Sequence, residues 1–488
     1  MERINKQMTG AKERPVKVVQ FGEGNFLRAF VDYMFDLANE QGKFDGSIVL
    51  IKPIEFGSLD MFHEQDCQYT VTLSGRDENG EAKVSDRIIT SVADAVDAYT
   101  EYEKYNDLAK NPDLRFVVSN TTEAGIVYDE TDKFELCPPA TFPGKLTKFL
   151  YTRYQEFNGD KSKGLIMLPV ELIDDNGMHL KECVLKQCAN WGLEADFVEW
   201  VKEACIFTQT LVDRIVTGYP RGKEQPHWDR YGYEDKTMVT AEPFSLWVIE
   251  SDKDISGEFP IPDAGFNVIL TKDHHPYKQR KVRILNGAHT CSVLGAYLYG
   301  TDIVRDMMNT PILREFVEKA VYEEIIPTLT LPAEECKDFA AAVFDRFDNP
   351  YVDHALLAIS LNSVSKWKAR VMPSFLGSIE KNGKCPARLG FSLAALMAFY
   401  TGTEIRDKAL IGNRDGAEYN IMDDAAVLEF MAANSCKDAK EYAHAVLSNV
   451  DFWGQDLSAL ADVEAVVVEY LASIKEVGAK ATYEKYFA

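Results

Sequence analysis

The chain has 488 residues, of which 46% are hydrophobic and 27% charged, enough for two or three globular units with ample core. Its 77 acidic against 53 basic residues give a formal net charge of -24, which argues against a nucleic-acid or anionic-membrane surface. The same charge repels small anions, so an anionic substrate needs a local cationic pocket.

The first 17 residues are polar and mixed in charge, unlike a signal peptide, and the most apolar stretch, 391–400, is too short to span a bilayer. Nine cysteines without a Cys-x-x-Cys pair read as the reduced thiols of a soluble cytoplasmic protein.

Val16-Lys-Val-Val-Gln-Phe21 predicts a strand leading into Gly22-Glu-Gly24-Asn-Phe-Leu-Arg28, then a helix to Glu40 and a strand from Ser47 to Ile51. In such a βαβ unit the glycine turn lets backbone N–H groups approach a pyrophosphate, which makes it a dinucleotide site. Leu27 stands where the third glycine of the fingerprint would be. Glu55, just past the second strand, is the candidate acid for the adenosine ribose; it favours NAD, while the neighbouring Lys52 would soften that choice.

Residues 69–73 and 83–91 alternate as antiparallel strands around a turn at 77–80, and 98–109 reads as a helix. A strand at 115–119 ends in the polar loop Asn120-Thr-Thr-Glu-Ala-Gly125, where Asn120, Thr122 and Glu123 would meet ligand at the sheet's carboxyl edge. Further strands are expected at 164–169, 210–216, 242–248 and 267–270, with a helix at 179–187. From Lys281 onward the pattern is almost wholly helical. These elements predict an N-terminal Rossmann-like domain with extra antiparallel strands, residues 1–275. An α-helical substrate and catalytic domain, 276–488, follows, with the active site in the cleft between the two.

The chemistry concentrates in Pro276-Tyr-Lys-Gln-Arg-Lys-Val-Arg-Ile-Leu-Asn-Gly-Ala-His289. On a helix with about 100° per residue, His289 lies roughly 80° and Asn286 roughly 140° around the axis from Lys281. A lysine amine takes or gives a proton, an amide holds an oxyanion, and an imidazole orients a hydroxyl. That set interconverts an alcohol and a ketone without a metal. Adjacent His274 and His275 rarely point at one ion, so no metal is expected.

Five motifs in order, Gly-x-Gly-x-Phe-x-Arg-Ala (22–29), Thr-Glu-x-Gly (122–125), Val-Asp-Arg-Ile (212–215), Glu-Pro-Phe (242–244) and Lys-x4-Leu-Asn-Gly-x-His (281–289), resemble the long-chain mannitol dehydrogenase family. The likeness runs from about residue 16 to about 400. It implies NAD(P)-dependent, metal-independent oxidation of polyols or hexonates. Residue by residue, it implies that Lys281 is the general acid/base with Asn286 and His289 as partners. It further implies that Phe21, Gly22, Gly24, Asn25 and Phe26 form the pyrophosphate turn and that Glu55 binds ribose. The family's neutral-polyol branch carries an asparagine where this chain has Leu172, so either Asn286 alone or Asn120 as a second donor holds the oxyanion. That branch also tends to carry a glutamate where this chain has Lys278.

These departures point to the branch acting on hexonates with NAD. Lys278, one turn from Lys281, would lower its neighbour's pKa or meet a substrate carboxylate. Arg346, Lys366 and Arg370 are further candidates for that carboxylate. Asp213 and Arg214 read as a structural pair. The expected partner is one small keto-hexuronate or hexonate; monomer and dimer both remain open. The rivals are the epimeric keto-hexuronate or a neutral polyol as substrate, and a non-catalytic NADH-sensing protein.

Overall fold

The computed structural model describes residues 1–76, 80–122 and 124–488. All but Gly80 of the expected 77–80 turn, and also Glu123, therefore lie outside the described residues. Two compact units partition the chain, residues 1–75 with 83–274 and residues 76–82 with 275–488.

In the first unit the strands are β1 (Val16–Phe21), β2 (Ser47–Lys52), β3 (Tyr69–Arg76), β4 (Ala82–Ile89), β5 (Val92–Asp97), β6 (Phe116–Ser119), β7 (Ile166–Pro169) and β8 (Ile206–Phe207). Six of them form a parallel sheet of order β5-β2-β1-β6-β7-β8. These runs are rich in Val and Ile, and β2 is buried along its whole length because helices cover both faces. Phe21 is in register with Ile51 on one side and Ser119 on the other. The strand order thus reverses at β1, and all three strands end at one edge. In an open parallel sheet that switch point is where a ligand binds. The strand β5 is an addition to the expected elements, and the helix after it is shorter than 98–109, covering Tyr102–Asp107.

Five further strands, β9 (Gln209–Asp213), β10 (Val216–Gly218), β11 (Val239–Ala241), β12 (Leu246–Glu250) and β13 (Val268–Thr271), complete two smaller sheets, β10-β11-β3-β4 and β13-β12-β9.

The helix after the glycine turn, residues 25–40, widens to a π turn at Arg28–Asp32. A π turn frees backbone groups that then need other partners. Arg214 provides one: its Nη1 donates to Ala29 O at 2.6 Å, and its other nitrogens to Phe244 O and Pro243 O. The Val-Asp-Arg-Ile and Glu-Pro-Phe motifs are thus scaffold, joining the glycine-turn helix to the strand system. This corrects the expected Asp213–Arg214 pair: the buried guanidinium is directed at carbonyls.

Asp32, the last residue of that π turn, is fully buried. Tyr69 Oη donates to its Oδ2 at 2.6 Å, and Oδ1 has no partner among the described residues. Burial pushes its carboxyl up to about 7 from the ordinary 3.8. A raised folded pKa means the stabilisation is complete below about pH 4 and is lost as pH rises to about 7. That span is about three units, or about 4 kcal/mol. In a pH series of melting curves, the advantage of Asp32→Asn over wild type is expected to widen from pH 4 to pH 7 and then stay constant. A gap independent of pH would mean that Asp32 is ionised throughout.

The second unit is mainly helical. Helix Gly287–Tyr299 packs on Ala387–Phe399 and on the helical segment Val463–Phe487, which is broken at Gly478, with Phe391 and Tyr483 rings 4.6 Å apart. Gly295 is required there, since a Cβ would lie 2.4 Å from Tyr483 Oη. The almost wholly helical expectation is corrected by a three-stranded antiparallel sheet, β14 (Ile405–Arg406), β15 (Ala409–Arg414) and β16 (Ala417–Ile421). Among the described residues no helix is long and apolar enough to cross a membrane.

Candidate functional site

In the first unit, β1 is followed by Gly22, whose φ of 116° only glycine adopts readily. A Cβ there would lie 3.0 Å from Asn120 O. Gly24 is the N-cap of the following helix, and a Cβ on it would meet nothing within 4 Å. One glycine lets β1 and β6 close up, and the other leaves the helix N-terminus open. That cradle fits a dinucleotide pyrophosphate.

The other expected turn residues divide. Phe21 is a core side chain, with Phe142 at 5.0 Å and Tyr105 at 6.0 Å between ring centroids, so only its backbone borders the turn. Asn25 accepts from Arg28 Nη2 at 2.7 Å. Arg28 also donates to Glu23 O, bracing the turn from within. Phe26 stacks on Phe30 and borders a cavity of about 540 Å³.

That cavity lies at the carboxyl ends of β1, β6 and β7, lined by Phe26, Asn120, Thr122, Val170, Leu172 and Val212 among others. It brings Asn120 together with Leu172, the position where the polyol branch has an asparagine. The loop carrying Asn120 and Thr122 is pinned by Glu171, a residue that sequence reasoning did not single out. Its carboxylate accepts from Ser119 Oγ at 3.1 Å and from both the backbone N and Oγ1 of Thr121 at 2.9 Å. Burial pushes the Glu171 carboxyl up, and those donors oppose the shift. Asn176, five residues on, donates to three carbonyls and accepts from Thr210 N, tying the β7 loop to β9.

At the end of β2, Glu55 is exposed and its carboxylate has no partner among the described residues. Lys52 is only 1% exposed and turned away from solvent. The expectation that Lys52 softens the preference for NAD therefore fails, because its ammonium is engaged in the protein interior. His274 is engaged as well: its Nδ1 lies 2.8 Å from Glu250 Oε2.

In the second unit, the segment 275–299 is one helix whose middle, Lys281–Asn286, is a π turn. The 100°-per-residue placement is corrected accordingly. Bonding from i to i+5 brings residues five apart nearer to one side, so Lys281 and Asn286 converge more closely than an α-helix allows. Both side chains are half-buried. His289 stacks on Phe347 at 4.1 Å and meets His354 edge-on at 5.5 Å. Its Nδ1 is buried without a partner among the described residues. Burial, with His354, Arg346 and Arg370 nearby, holds the imidazole well below its ordinary pKa, so it is neutral at pH 7. A neutral imidazole both accepts and donates, which suits orienting a substrate hydroxyl.

Cations gather around this helix. Lys366 donates to Ile359 O at 2.9 Å, and its pKa is lowered by burial and by Arg370. Arg346 is buried beside Phe347. Arg283, inside the π turn and missed in the sequence, donates to Ser374 Oγ at 3.0 Å and has no acidic partner among the described residues. Arg370 has neither hydrogen-bond nor ion-pair partner for its guanidinium among the described residues, although burial lowers its pKa. Lys278 is half-buried one turn before Lys281.

Two family models match successive parts of the chain. The mannitol dehydrogenase Rossmann domain matches residues 16–262, and the mannitol dehydrogenase C-terminal domain matches 273–475. An altronate oxidoreductase of Yersinia enterocolitica is 43% identical over 492 residues, covering all of both chains. One from Escherichia coli O7:K1 is 43% identical over 484 residues, 98% of each. A substrate-free D-sorbitol dehydrogenase structure covers 99% of this chain and 100% of its own at TM-score 0.80 and 21% identity. The Pseudomonas fluorescens mannitol 2-dehydrogenase, solved with NAD and D-mannitol, covers 99% of both at 0.69 and 22%; these two likenesses speak for the fold. On both domain matches and full-length identity, the chain belongs to the mannitol dehydrogenase family and is an oxidoreductase.

Proposed function

We propose that the enzyme interconverts D-altronate and D-tagaturonate, with residues 1–275 holding the cofactor and residues 276–488 carrying the proton chemistry. The observation that carries the reading is the group of cations on and beside the His275–Tyr299 helix, among them Arg283 and Arg370 without an acidic partner among the described residues, in a chain of net charge -24. A half-buried guanidinium without a carboxylate is costly unless an anionic ligand completes it. The full-length likeness to altronate oxidoreductases supports the same substrate.

When bound, NAD(H) supplies or removes the hydride at the substrate carbon. Lys281, as ammonium, gives its proton to the carbonyl oxygen during reduction, and as amine it takes the hydroxyl proton during oxidation. Asn286 donates to that oxygen while its charge develops, with Asn120 as the second candidate donor. Neutral His289 orients the neighbouring hydroxyl. Lys278, Arg346, Lys366 and Arg370 supply the positive field for the carboxylate. Nine unpaired thiols support a cytoplasmic location.

The test is NADH oxidation with tagaturonate, fructuronate and fructose side by side, each repeated with NADPH. The expected result is strong preference for tagaturonate with NADH. Preference for fructuronate would keep the mechanism and change the epimer. Fructose turnover would remove the carboxylate argument, and inactivity on all three would revive the NADH-sensing alternative.

A further inference from the structure

Lys52 is the last residue of β2, and its ammonium faces four acceptors: Ile54 O at 2.7 Å, Asp97 Oδ2 at 3.0 Å, and Glu55 O and Phe56 O at 3.3 Å each. An ammonium has three N–H donors, so the group is saturated. Asp97 ends the neighbouring strand β5, in register with Lys52. The other Asp97 oxygen accepts from Tyr99 N at 2.9 Å. One buried cation thus ties the ends of two strands to the three carbonyls of the turn that follows.

That turn presents Glu55 to solvent between two exposed apolar side chains, Ile54 at 55% and Phe56 at 78%. A carboxylate between apolar flanks suits a ribose diol carrying a flat purine. It does not suit a ribose 2'-phosphate, which would set anion against anion with Lys52 already engaged.

We propose that Lys52 is a positioning residue for cofactor selectivity. By clamping the turn it holds Glu55 at the ribose, and by that same engagement it withholds the cation a 2'-phosphate would need. The inference rests on the reading of the first unit as the NAD site, and it goes beyond that reading in assigning the selectivity to a buried clamp.

The experiment is a fluorescence titration of the full-length protein with NADH and with NADPH, without substrate, supported by melting curves. Wild type should bind NADH more than about tenfold tighter than NADPH. Lys52→Met should weaken NADH about tenfold without improving NADPH, and Lys52→Arg should restore most of the loss. Turnover at saturating NADH should change little in these variants, which separates positioning from chemistry. Should Lys52→Met melt below the working temperature, Asp97→Asn takes its place with the same expected loss of NADH affinity. NADH affinity within about twofold of wild type in the folded variant overturns the proposal. So does a selective loss of NADPH, which would make Lys52 a phosphate ligand. A wild type that binds neither nucleotide would refute the cofactor site itself.

Discussion

Lys281→Ala is expected to lower turnover of the hexonate by about a thousandfold, within the range that positioned acid/base groups contribute. The NADH dissociation constant should stay within about twofold of wild type, because nothing in the glycine-turn crevice is altered. Two companion variants separate charge from proton transfer. Lys281→Arg keeps a cation, but a guanidinium does not lose its proton near neutrality, so the loss should persist. Adding a small primary amine to Lys281→Ala should restore part of the activity by refilling the vacated volume with a transferable proton. Single-turnover rates measured with and without the amine decide the matter. Near-normal turnover in the alanine variant would transfer the acid/base role to another group.

The parts of the molecule readable in the sequence are those whose signal is local. The glycine turn is one: Gly22 is demanded by its positive φ and its approach to Asn120 O, and Gly24 follows two residues on as the helix N-cap. The helix from His275 to Tyr299 is another, with its three chemistry-bearing residues in one stretch. What periodicity does not reveal is the kind of helix. The π turns at Arg28–Asp32 and Lys281–Asn286 share the apolar spacing of an α-helix, and only the placement of individual side chains tells them apart. One follows the glycine turn and the other begins at Lys281, the proposed acid/base.

A second class of residue was illegible because its partners are distant in sequence. Arg214 serves the carbonyl of Ala29, 185 residues earlier, and Glu171 serves a loop 50 residues away. Arg214 belongs to a motif that was recognised and Glu171 lies just past the strand expected at 164–169, yet neither role follows from spacing. Phe21 and Asn25 show the converse. They stand in the glycine turn expected to hold the pyrophosphate, but one side chain is taken by the core and the other by Arg28. The sheet at 405–421 did carry a local signal. Asp415-Gly416 lies between alternating runs, both residues take positive φ, and this is a strong hairpin cue that the surrounding helical pattern obscured.

The second large effect is expected at Arg370. Losing a charge-assisted pair with the substrate carboxylate should reduce kcat/KM of Arg370→Leu for tagaturonate by roughly 30- to 150-fold, or about 2–3 kcal/mol, mostly through KM. Two roles are open to this arginine. If it reads the carboxylate, the loss is specific: a neutral ketose, however slowly it turns over, should lose little. If it acts only by keeping His289 neutral, the loss should be shared by both substrates. In that case it should also depend on pH, because removing a nearby cation lets the imidazole pKa rise toward its ordinary value. Activity would then fall at acidic pH and recover as pH rises and the imidazole loses its proton. A loss confined to the hexonate and flat with pH favours the first role. Its absence would leave Arg283, two residues beyond Lys281 and likewise without an acidic partner, to carry the recognition of the anion.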